Sequence, residues 1–153
     1  MKSRKARFSI YIAISGFFLL IDQLLKQYAL ANQDYTYYLG TSWFGWEYLG
    51  NSGIAFSLQF PNFLLILITP LVLLTLLLFL IKQNLEPLQS LGILLIVGGA
   101  ISNFIDRILY SLTIDYIRLF TSVINIADVM IVVGAVFLLV NEVSARKKDK
   151  CQN

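Results

Sequence analysis

Four long apolar stretches constrain the fold more than any other feature of the sequence. They cover residues 8–29, 63–81, 90–109 and 126–143. A helix needs about 20 apolar residues to cross the hydrocarbon core of a bilayer, so each stretch is long enough to span a membrane. Charged residues make up only 14% of the chain, whereas soluble domains carry about 25%. The sequence therefore predicts an all-α polytopic membrane protein with four transmembrane helices in a single integral domain, residues 1–153.

The distribution of positive charge predicts how these helices lie in the membrane. Most of the 12 Lys and Arg residues lie in the two terminal tails, 1–7 and 144–153, and Lys82 lies in the short connection between the second and third stretches. Basic residues concentrate on the cytoplasmic side of membrane proteins. We therefore expect both termini in the cytoplasm and the loops 30–62 and 110–125 on the outer face. Tail charge of this kind indicates topology and gives no reason to expect a nucleic-acid partner.

The first outer loop is rich in aromatic residues, whose rings favour the headgroup level of a membrane. They are Tyr35, Tyr37, Tyr38, Trp43, Phe44, Trp46 and Tyr48. We expect a small extracytoplasmic β-like element in this loop, lying on the membrane. It serves either as an interfacial belt alone or as a surface that also contacts a partner.

The third apolar stretch contains small residues that permit close helix packing. These are Gly92, Gly98, Gly99 and Ala100, and small residues let membrane helices approach each other closely. The third stretch is therefore expected to be the packed centre of the bundle.

The start of the chain imitates a cleavable secretory signal peptide, with basic residues, an apolar run and Ala29-Leu30-Ala31. The apolar region of a signal peptide is about 7–15 residues long. The first stretch is longer and carries Asp22 and Lys26, so we expect it to remain as a helix.

The absence of histidine excludes several catalytic chemistries. Ser-His-Asp and Cys-His pairs and HExxH zinc sites all require it, and the chain has none. Cys151 has no second cysteine, so neither a disulfide nor an activated thiolate is expected. A Ser-Lys hydrolase built from Lys26 with Ser52 or Ser57 is a further alternative, although nothing in the spacing marks either serine as a nucleophile.

Placing an ionisable side chain inside a membrane costs free energy, so each such residue is a functional candidate. In and beside the apolar stretches they are Asp22, Lys26, Asp106, Arg107, Asp115 and Asp128. Asp22 and Lys26 are four residues apart, a spacing that lets two helical side chains meet. We expect a structural pair there, with substrate contact as the alternative.

Asparagine and aspartate recur together on the third and fourth stretches. Gly99, Asn103 and Asp106 lie at i, i+4 and i+7, so they share one helix face. Asn125 and Asp128 are three residues apart at the start of the fourth stretch, where a helix N-terminus favours negative charge.

Asp115 lies on the short connection between these two stretches. It is therefore expected to lie at the same outer end of the helix bundle as Asp128. Two carboxylates that lie close together at the membrane boundary, where water has only partial access, suit acid–base catalysis without histidine or metal. Paired carboxylates also line ion pathways, so a small transporter or ion-relay subunit is an alternative. That alternative requires a continuous polar stripe, to which the second stretch offers only Thr69 and Thr75.

Five short blocks along the chain carry a more specific signal. They are residues 22–26 (DQLLK), 51–57 (NSGIAFS), 98–107 (GGAISNFIDR), 114–117 (IDYI) and 125–128 (NIAD). In this order they resemble the signature blocks of the lipoprotein signal peptidases, the type II signal peptidases of bacteria. The resemblance covers nearly the whole chain.

This resemblance implies an intramembrane aspartyl endopeptidase that removes the signal peptide from bacterial prolipoproteins, cutting just before a diacylglyceryl-modified cysteine. The family's catalytic aspartates fall on Asp115 and Asp128. Positions that resemble its substrate-binding or site-supporting residues are Asn51, Asn103, Asp106, Arg107 and Asn125. Asp106 is expected to pair with Arg107 or to brace the site.

The same resemblance implies where the protein works and with what. We expect a monomer in the bacterial cytoplasmic membrane, with its active site at the extracytoplasmic face. Its partners are prolipoprotein substrates and membrane lipid, and neither a cofactor nor a metal is implied.

Several positions depart from the family pattern. Ser102 stands where the family usually has glycine, and is expected to crowd a close helix contact. Ile54 replaces a usual alanine, Ile124 a usual phenylalanine, and the segment 116–124 is short. We expect these changes to affect substrate preference more than chemistry. An inactive scaffold relative is the remaining alternative, but a scaffold has no need of two costly buried acids.

Overall fold

The structure is a computed structural model that describes residues 2–40, 42–53, 60–83 and 85–150, with side chains described except at 2–5, 142 and 144–150. Ser57, Ile54 and Cys151 lie outside these residues. The helices are α1 (Lys2–Ala31), α2 (Asn62–Lys82), α3 (Pro87–Tyr110) and α4 (Ile126–Lys150). The strands are β1 (Tyr37–Tyr38), β2 (Phe44–Asn51), β3 (Thr113–Leu119) and β4 (Ser122–Ile124).

Each helix contains one of the four predicted apolar stretches. Among the described residues, three helical segments are long and apolar enough to cross a membrane: Ala6–Ala31, Asn62–Lys82 and Pro87–Tyr110. The apolar part of α4 is shorter and covers Ile126–Asn141. The predicted helical, apolar architecture is thus confirmed, whereas a membrane-spanning α4 stays a prediction.

Local sequence signals set the ends of α3. Pro87 occupies the first turn, where its missing N–H is not needed. The backbone N–H of Glu86 donates to Gln89 Oε1 at 3.1 Å, half of a capping box that closes the N-terminus. Ser111 ends the helix with a left-handed backbone (φ 62°), and the chain turns there directly into β3.

Small residues bring α3 close to its neighbours, as the sequence predicts. A Cβ atom added at Gly92 would lie 2.7 Å from the carbonyl oxygen of Gly134 on α4. Such a contact requires glycine, because real Cβ atoms do not approach backbone that closely. On the other side, Ser15 of α1 donates a hydrogen bond to the carbonyl of Leu94 at 2.6 Å. Helix α3 is therefore the packed centre of the bundle.

Most apolar side chains on the other helices point away from the protein. On α2, Leu80 is the one residue that is buried among those described. Exposed examples include Phe17 on α1, Leu67 on α2 and Leu139 on α4. Apolar surface of this extent does not occur on a water-soluble monomer, so it suits contact with lipid.

The four strands form one antiparallel sheet in the order β1-β2-β3-β4. The predicted β-like element therefore exists, but the prediction was wrong in assigning it to the first outer loop alone. Strands β3 and β4 come from the second outer loop, residues 110–125. The difference arises because β3 is held by pairing with β2, and the three-residue β4 by pairing with β3, contacts between loops that no local pattern reveals.

Sheet and helices meet through a small apolar core at the end of α1. Ala29 on α1 packs against Ile114 and Tyr116 of β3, and all three side chains are fully buried. The Trp46 ring of β2 lies 5.0 Å from the ring of Tyr116. This core holds β3, which carries Asp115, against the ends of the helices.

Candidate active site

A fully buried ion cluster lies between α1 and α3. Lys26 Nζ lies 2.8 Å from Asp22 Oδ2 and 2.9 Å from Asp106 Oδ2, and all three side chains have zero exposure. The structure thus corrects one expectation, because Asp106 pairs with Lys26 and not with Arg107. Adjacent residues on a helix point in different directions, so Asp106 and Arg107 cannot both face α1.

Hydrogen bonds satisfy both carboxylates of this cluster. Asp22 accepts from the Ser102 hydroxyl at 2.6 Å and from the Tyr116 hydroxyl at 2.7 Å. Asp106 accepts from Gln23 Nε2 and from the backbone N–H of Ile114, each at 3.1 Å. The cluster therefore ties α1 and α3 to strand β3, consistent with a bracing role.

Ser102 fits the helix contact that it was expected to crowd. Its side chain is fully buried, and its hydroxyl accepts from Gln23 Nε2 at 2.8 Å while donating to Asp22. A glycine at this position would leave one oxygen of Asp22 with fewer donors. The departure from the family pattern thus adds hydrogen bonds and causes no clash.

Strand β3 carries Asp115 into a group of amide side chains. Asn51 of β2 donates to Asp115 Oδ2 at 3.0 Å, and Asn125 donates to Oδ1 at 2.7 Å. The side chain is only 1% exposed. Burial, and after it the negative charge of Asp128, raise the pKa of Asp115 to about 7, because a buried carboxyl group resists becoming charged.

Asp128 lies in the first turn of α4, as its spacing from Asn125 indicates. Its backbone N–H donates to Asn125 Oδ1 at 2.8 Å, while its Oδ1 accepts from Asn103 Nδ2 at 2.9 Å. A side-chain acceptor before a helix satisfies a free N–H of the first turn, so capping of α4 fixes Asn125 and Asp128 relative to each other.

The orientation of each site amide follows from the donors around it. Asn51 Oδ1 accepts from the N–H of Gly53 at 2.9 Å, so its amino group must face Asp115. Asn125 is oriented in the same way by the N–H of Asp128. Lys26 donates to Asn103 Oδ1 at 2.8 Å, which turns the Asn103 amino group toward Asp128. The ion cluster therefore orients Asn103, the side chain that donates a hydrogen bond to Asp128.

Asp115 and Asp128 line the same groove, which has a volume of about 700 Å³. The groove is also lined by Asn51, Asn103, Arg107 and Thr69. Among the described residues, the Arg107 guanidinium group has no hydrogen bond or ion pair. The structure therefore gathers the candidate site residues into two layers, with the ion cluster behind and the amides, Asp115 and Asp128 at the groove.

The groove contains two charged residues that sequence reasoning missed. Glu47 of β2 and Arg118 of β3 form an ion pair at 2.9 Å and both line the groove. Tyr116 of the buried layer was missed as well. Strand alternation turns Tyr116 and Asp115 to opposite faces, a signal that required recognising β3 as a strand.

The described residues give the alternative chemistries little support. Ser52 is exposed, whereas Lys26 is held in the ion cluster, so they do not form a nucleophile–base pair. Asp22 and Asp106 face Lys26 and not a continuous polar path. In the part of the chain that the structure describes, no three Cys, His, Asp or Glu side chains are grouped as metal ligands.

Comparison with known proteins gives a consistent result. The family model described as signal peptidase (SPase) II matches residues 14–144, which include every residue placed in the site. A protein of Lactobacillus johnsonii named lipoprotein signal peptidase is 34% identical, covering 95% of this chain and 99% of that protein. A Bartonella henselae protein of the same name is 36% identical, covering 85% of this chain and 86% of its own.

The fold also has a counterpart among solved structures. One chain, described as a bacterial membrane enzyme determined by the in meso method at 2.3 Å resolution, superposes with a TM-score of 0.82. The two sequences are 25% identical, and the match covers 92% of this chain and 91% of the other.

Proposed function

The chain belongs to the signal peptidase II family, and from that premise we propose that Asp115 and Asp128 are the catalytic pair with which it hydrolyses its substrate. As a member of this family it is a peptidase of the bacterial membrane that removes signal peptides from prolipoproteins. The observation that carries the assignment of the pair is their position. Both carboxylates line one groove, held by three asparagines that present N–H donors to them.

In this proposal the two aspartates share one proton, which resides on Asp115 because its pKa is near 7. Asp128 takes a proton from a water molecule, whose oxygen attacks the carbonyl carbon of the scissile bond. Asp115 gives its proton to the carbonyl oxygen, which forms a tetrahedral diol. The C–N bond then breaks as Asp128 protonates the leaving nitrogen, and the re-forming carbonyl returns the other proton to Asp115.

The amides and Arg107 support this chemistry without taking part in proton transfer. Asn51 and Asn125 fix the plane of the Asp115 carboxyl group, and Asn103 fixes that of Asp128. Arg107 faces the groove without a partner among the described residues. A free guanidinium group is a suitable donor to a substrate carbonyl, so we assign Arg107 to substrate positioning.

The substrate of this proposal is a prolipoprotein cut just before its diacylglyceryl cysteine. The lining of the groove supports an amphipathic substrate of this kind. Ala100, Ile131 and Val132 give it an apolar wall among the helices, which suits acyl chains. Charged Glu47 and Arg118 lie on the sheet, which suits a peptide.

The experiment that tests this function is an assay of purified protein, in lipid, with a diacylglyceryl-modified prolipoprotein. Mass spectrometry of the products should show one cut, directly before the modified cysteine. An unmodified prolipoprotein of the same sequence serves as the control. A folded protein that leaves the modified substrate intact would contradict the proposal.

The proposed topology has four spans, with both termini in the cytoplasm and the sheet on the outer face. Helix α4 begins with the apolar stretch 126–143, which extends about 27 Å at about 1.5 Å per residue, close to the roughly 30 Å thickness of a hydrocarbon core. In spheroplasts, a membrane-impermeant maleimide should label Cys151 only after the membrane is permeabilised. A Ser42→Cys variant lacking Cys151 should be labelled without permeabilisation. Labelling of Cys151 in sealed spheroplasts would contradict this topology.

The raised pKa of Asp115 predicts how activity depends on pH. Because the mechanism needs the protonated form, kcat/KM should fall as the pH rises through about 7. The folded state also holds this proton more tightly than the unfolded state does. The free energy of unfolding should therefore decrease as the pH rises from 3.8 to about 7. In the Asp115→Asn variant, the free energy of unfolding should no longer decrease over this pH range. The same decrease in the variant as in the wild type would contradict the assigned pKa.

A further inference from the structure

Strand β4 is an edge of the sheet. The order β1-β2-β3-β4 leaves it with one neighbour, β3, on one side. Its three residues, Ser122, Val123 and Ile124, all line the groove that contains Asp115 and Asp128. An edge strand presents unpaired N–H and C=O groups on its free side, so the groove is bounded by a sheet edge with pairing capacity.

The register identifies which residue of β4 presents those groups. Leu119 pairs with Ser122 across a two-residue turn, and Ile117 pairs with Ile124. The residues that flank a two-residue hairpin turn exchange hydrogen bonds with each other. Because hydrogen-bonded pairs alternate along antiparallel strands, Val123 forms no hydrogen bond with β3.

An independent contact agrees with this alternation. The N–H of Phe120 donates to the carbonyl of Trp43 at 2.6 Å, toward β2. Even-numbered residues at this end of β3 therefore bond toward β2, and odd-numbered ones bond toward β4. Arg118, the partner of Val123, belongs to the first set. The N–H and C=O of Val123 thus point away from β3, toward the free edge.

The two backbone groups of Val123 have no partner outside the sheet ladder among the described residues, although the residue is nearly buried. Val123 is 8% exposed. Outside the sheet ladder, no hydrogen bond reaches its N–H or C=O from the part of the chain that the structure describes. Because Val123 lines the groove, these two backbone groups are available to a chain that binds there, and such a chain would pair them.

We infer that the peptide substrate binds in extended form along β4 as an added strand, hydrogen-bonded to the N–H and C=O of Val123. The inference rests on the proposed function, because it places the substrate chain in the groove of the catalytic pair. Strand addition to an edge supplies affinity through main-chain groups. It leaves side chains free to vary, and it presents the peptide to the carboxylates in one extended conformation.

Val123→Pro tests this inference, because proline removes the outward N–H and is tolerated on edge strands. Val123→Ala keeps the N–H and measures the contribution of the side chain alone. A hydrogen bond contributes about 0.5–1.5 kcal/mol. We therefore expect kcat/KM of the proline variant to be up to about tenfold below that of the alanine variant, with the same thermal unfolding. Equal kcat/KM in two equally stable variants would overturn the inference.

A change in the substrate tests the same contact without altering the fold. In a series of modified prolipoproteins, one amide at a time on either side of the scissile bond is replaced by an ester, which removes its N–H. The wild-type enzyme should lose activity at the position that donates to the Val123 carbonyl and not at its neighbours. Equal losses at every position, or none, would overturn the inference. Cleavage of the all-amide substrate shows in the same assay that the proposed function holds, whereas its absence would defeat both proposals.

Discussion

Replacing Asp115 or Asp128 by asparagine should abolish cleavage while the protein remains folded. Each variant removes a group that must donate or accept a proton, and losing a general acid or base reduces rates by about 10²–10⁴-fold. Because the two aspartates act as a unit, the double variant should be no slower than either single variant. The measurement is the rate of signal-peptide release from a diacylglyceryl-modified prolipoprotein, alongside thermal unfolding.

Asp106→Asn is the matched control for this experiment. Asp106 is as buried as Asp115, but it pairs with Lys26 and does not line the groove. It should lower the unfolding temperature and leave part of the activity. Normal turnover in Asp115→Asn or Asp128→Asn would remove that residue from the catalytic pair. Complete loss in a normally folded Asp106→Asn variant would require Asp106 to be included.

Lys26→Met should give the largest loss of stability of any single substitution in the buried layer. The change leaves Asp22 and Asp106 without their counter-charge, at zero exposure. Breaking a buried ion pair from one side costs about 3–5 kcal/mol, because an uncompensated charge remains. Activity should fall too, since Asn103 loses the donor that orients its amide. Thermal unfolding in detergent measures the first effect.

Two further variants separate charge from packing. Lys82→Met removes an exposed lysine from α2 and should unfold at the wild-type temperature. Adding Asp22→Asn to Lys26→Met should restore part of the lost stability, because one of the two unpaired charges disappears. If Lys26→Met unfolds at the wild-type temperature, the ion pairs of Lys26 do not stabilise the fold.

Spacing within one helix was enough to predict part of this site. Asp22 and Lys26 meet as their four-residue separation predicts, and Asn125, directly before α4, accepts from the N–H of Asp128 in its first turn. The periodicity of a helix fixes such neighbours before any packing occurs. The same rule shows why, of the two roles expected for Asp106, pairing with Arg107 does not occur while bracing through Lys26 does.

Contacts between different helices and strands could not be predicted from the sequence. Asn51 reaches Asp115 because β2 pairs with β3 across an irregularity between Trp46 and Leu49. A register that contains a bulge is not encoded in the alternation of either strand alone. The contact of Lys26 with Asn103 likewise depends on how α1 packs against α3. Spacing and the family resemblance together therefore named Asp115, Asp128 and the asparagines, whereas Glu47 and Arg118 were missed, and packing between elements decided which residues pair.

The sheet that joins the two outer loops has a consequence for biosynthesis. Asn51 and its partner Asp115 are 64 residues apart, and Lys26 and Asn103 are 77 apart. Contacts of such long sequence separation form late, after the intervening chain has been made. Asp128 follows all four of these residues in the chain, so the proposed catalytic pair is complete only after the start of α4 has been synthesised. Under the proposed assignment, cleavage therefore requires that the chain has been synthesised past Asp128.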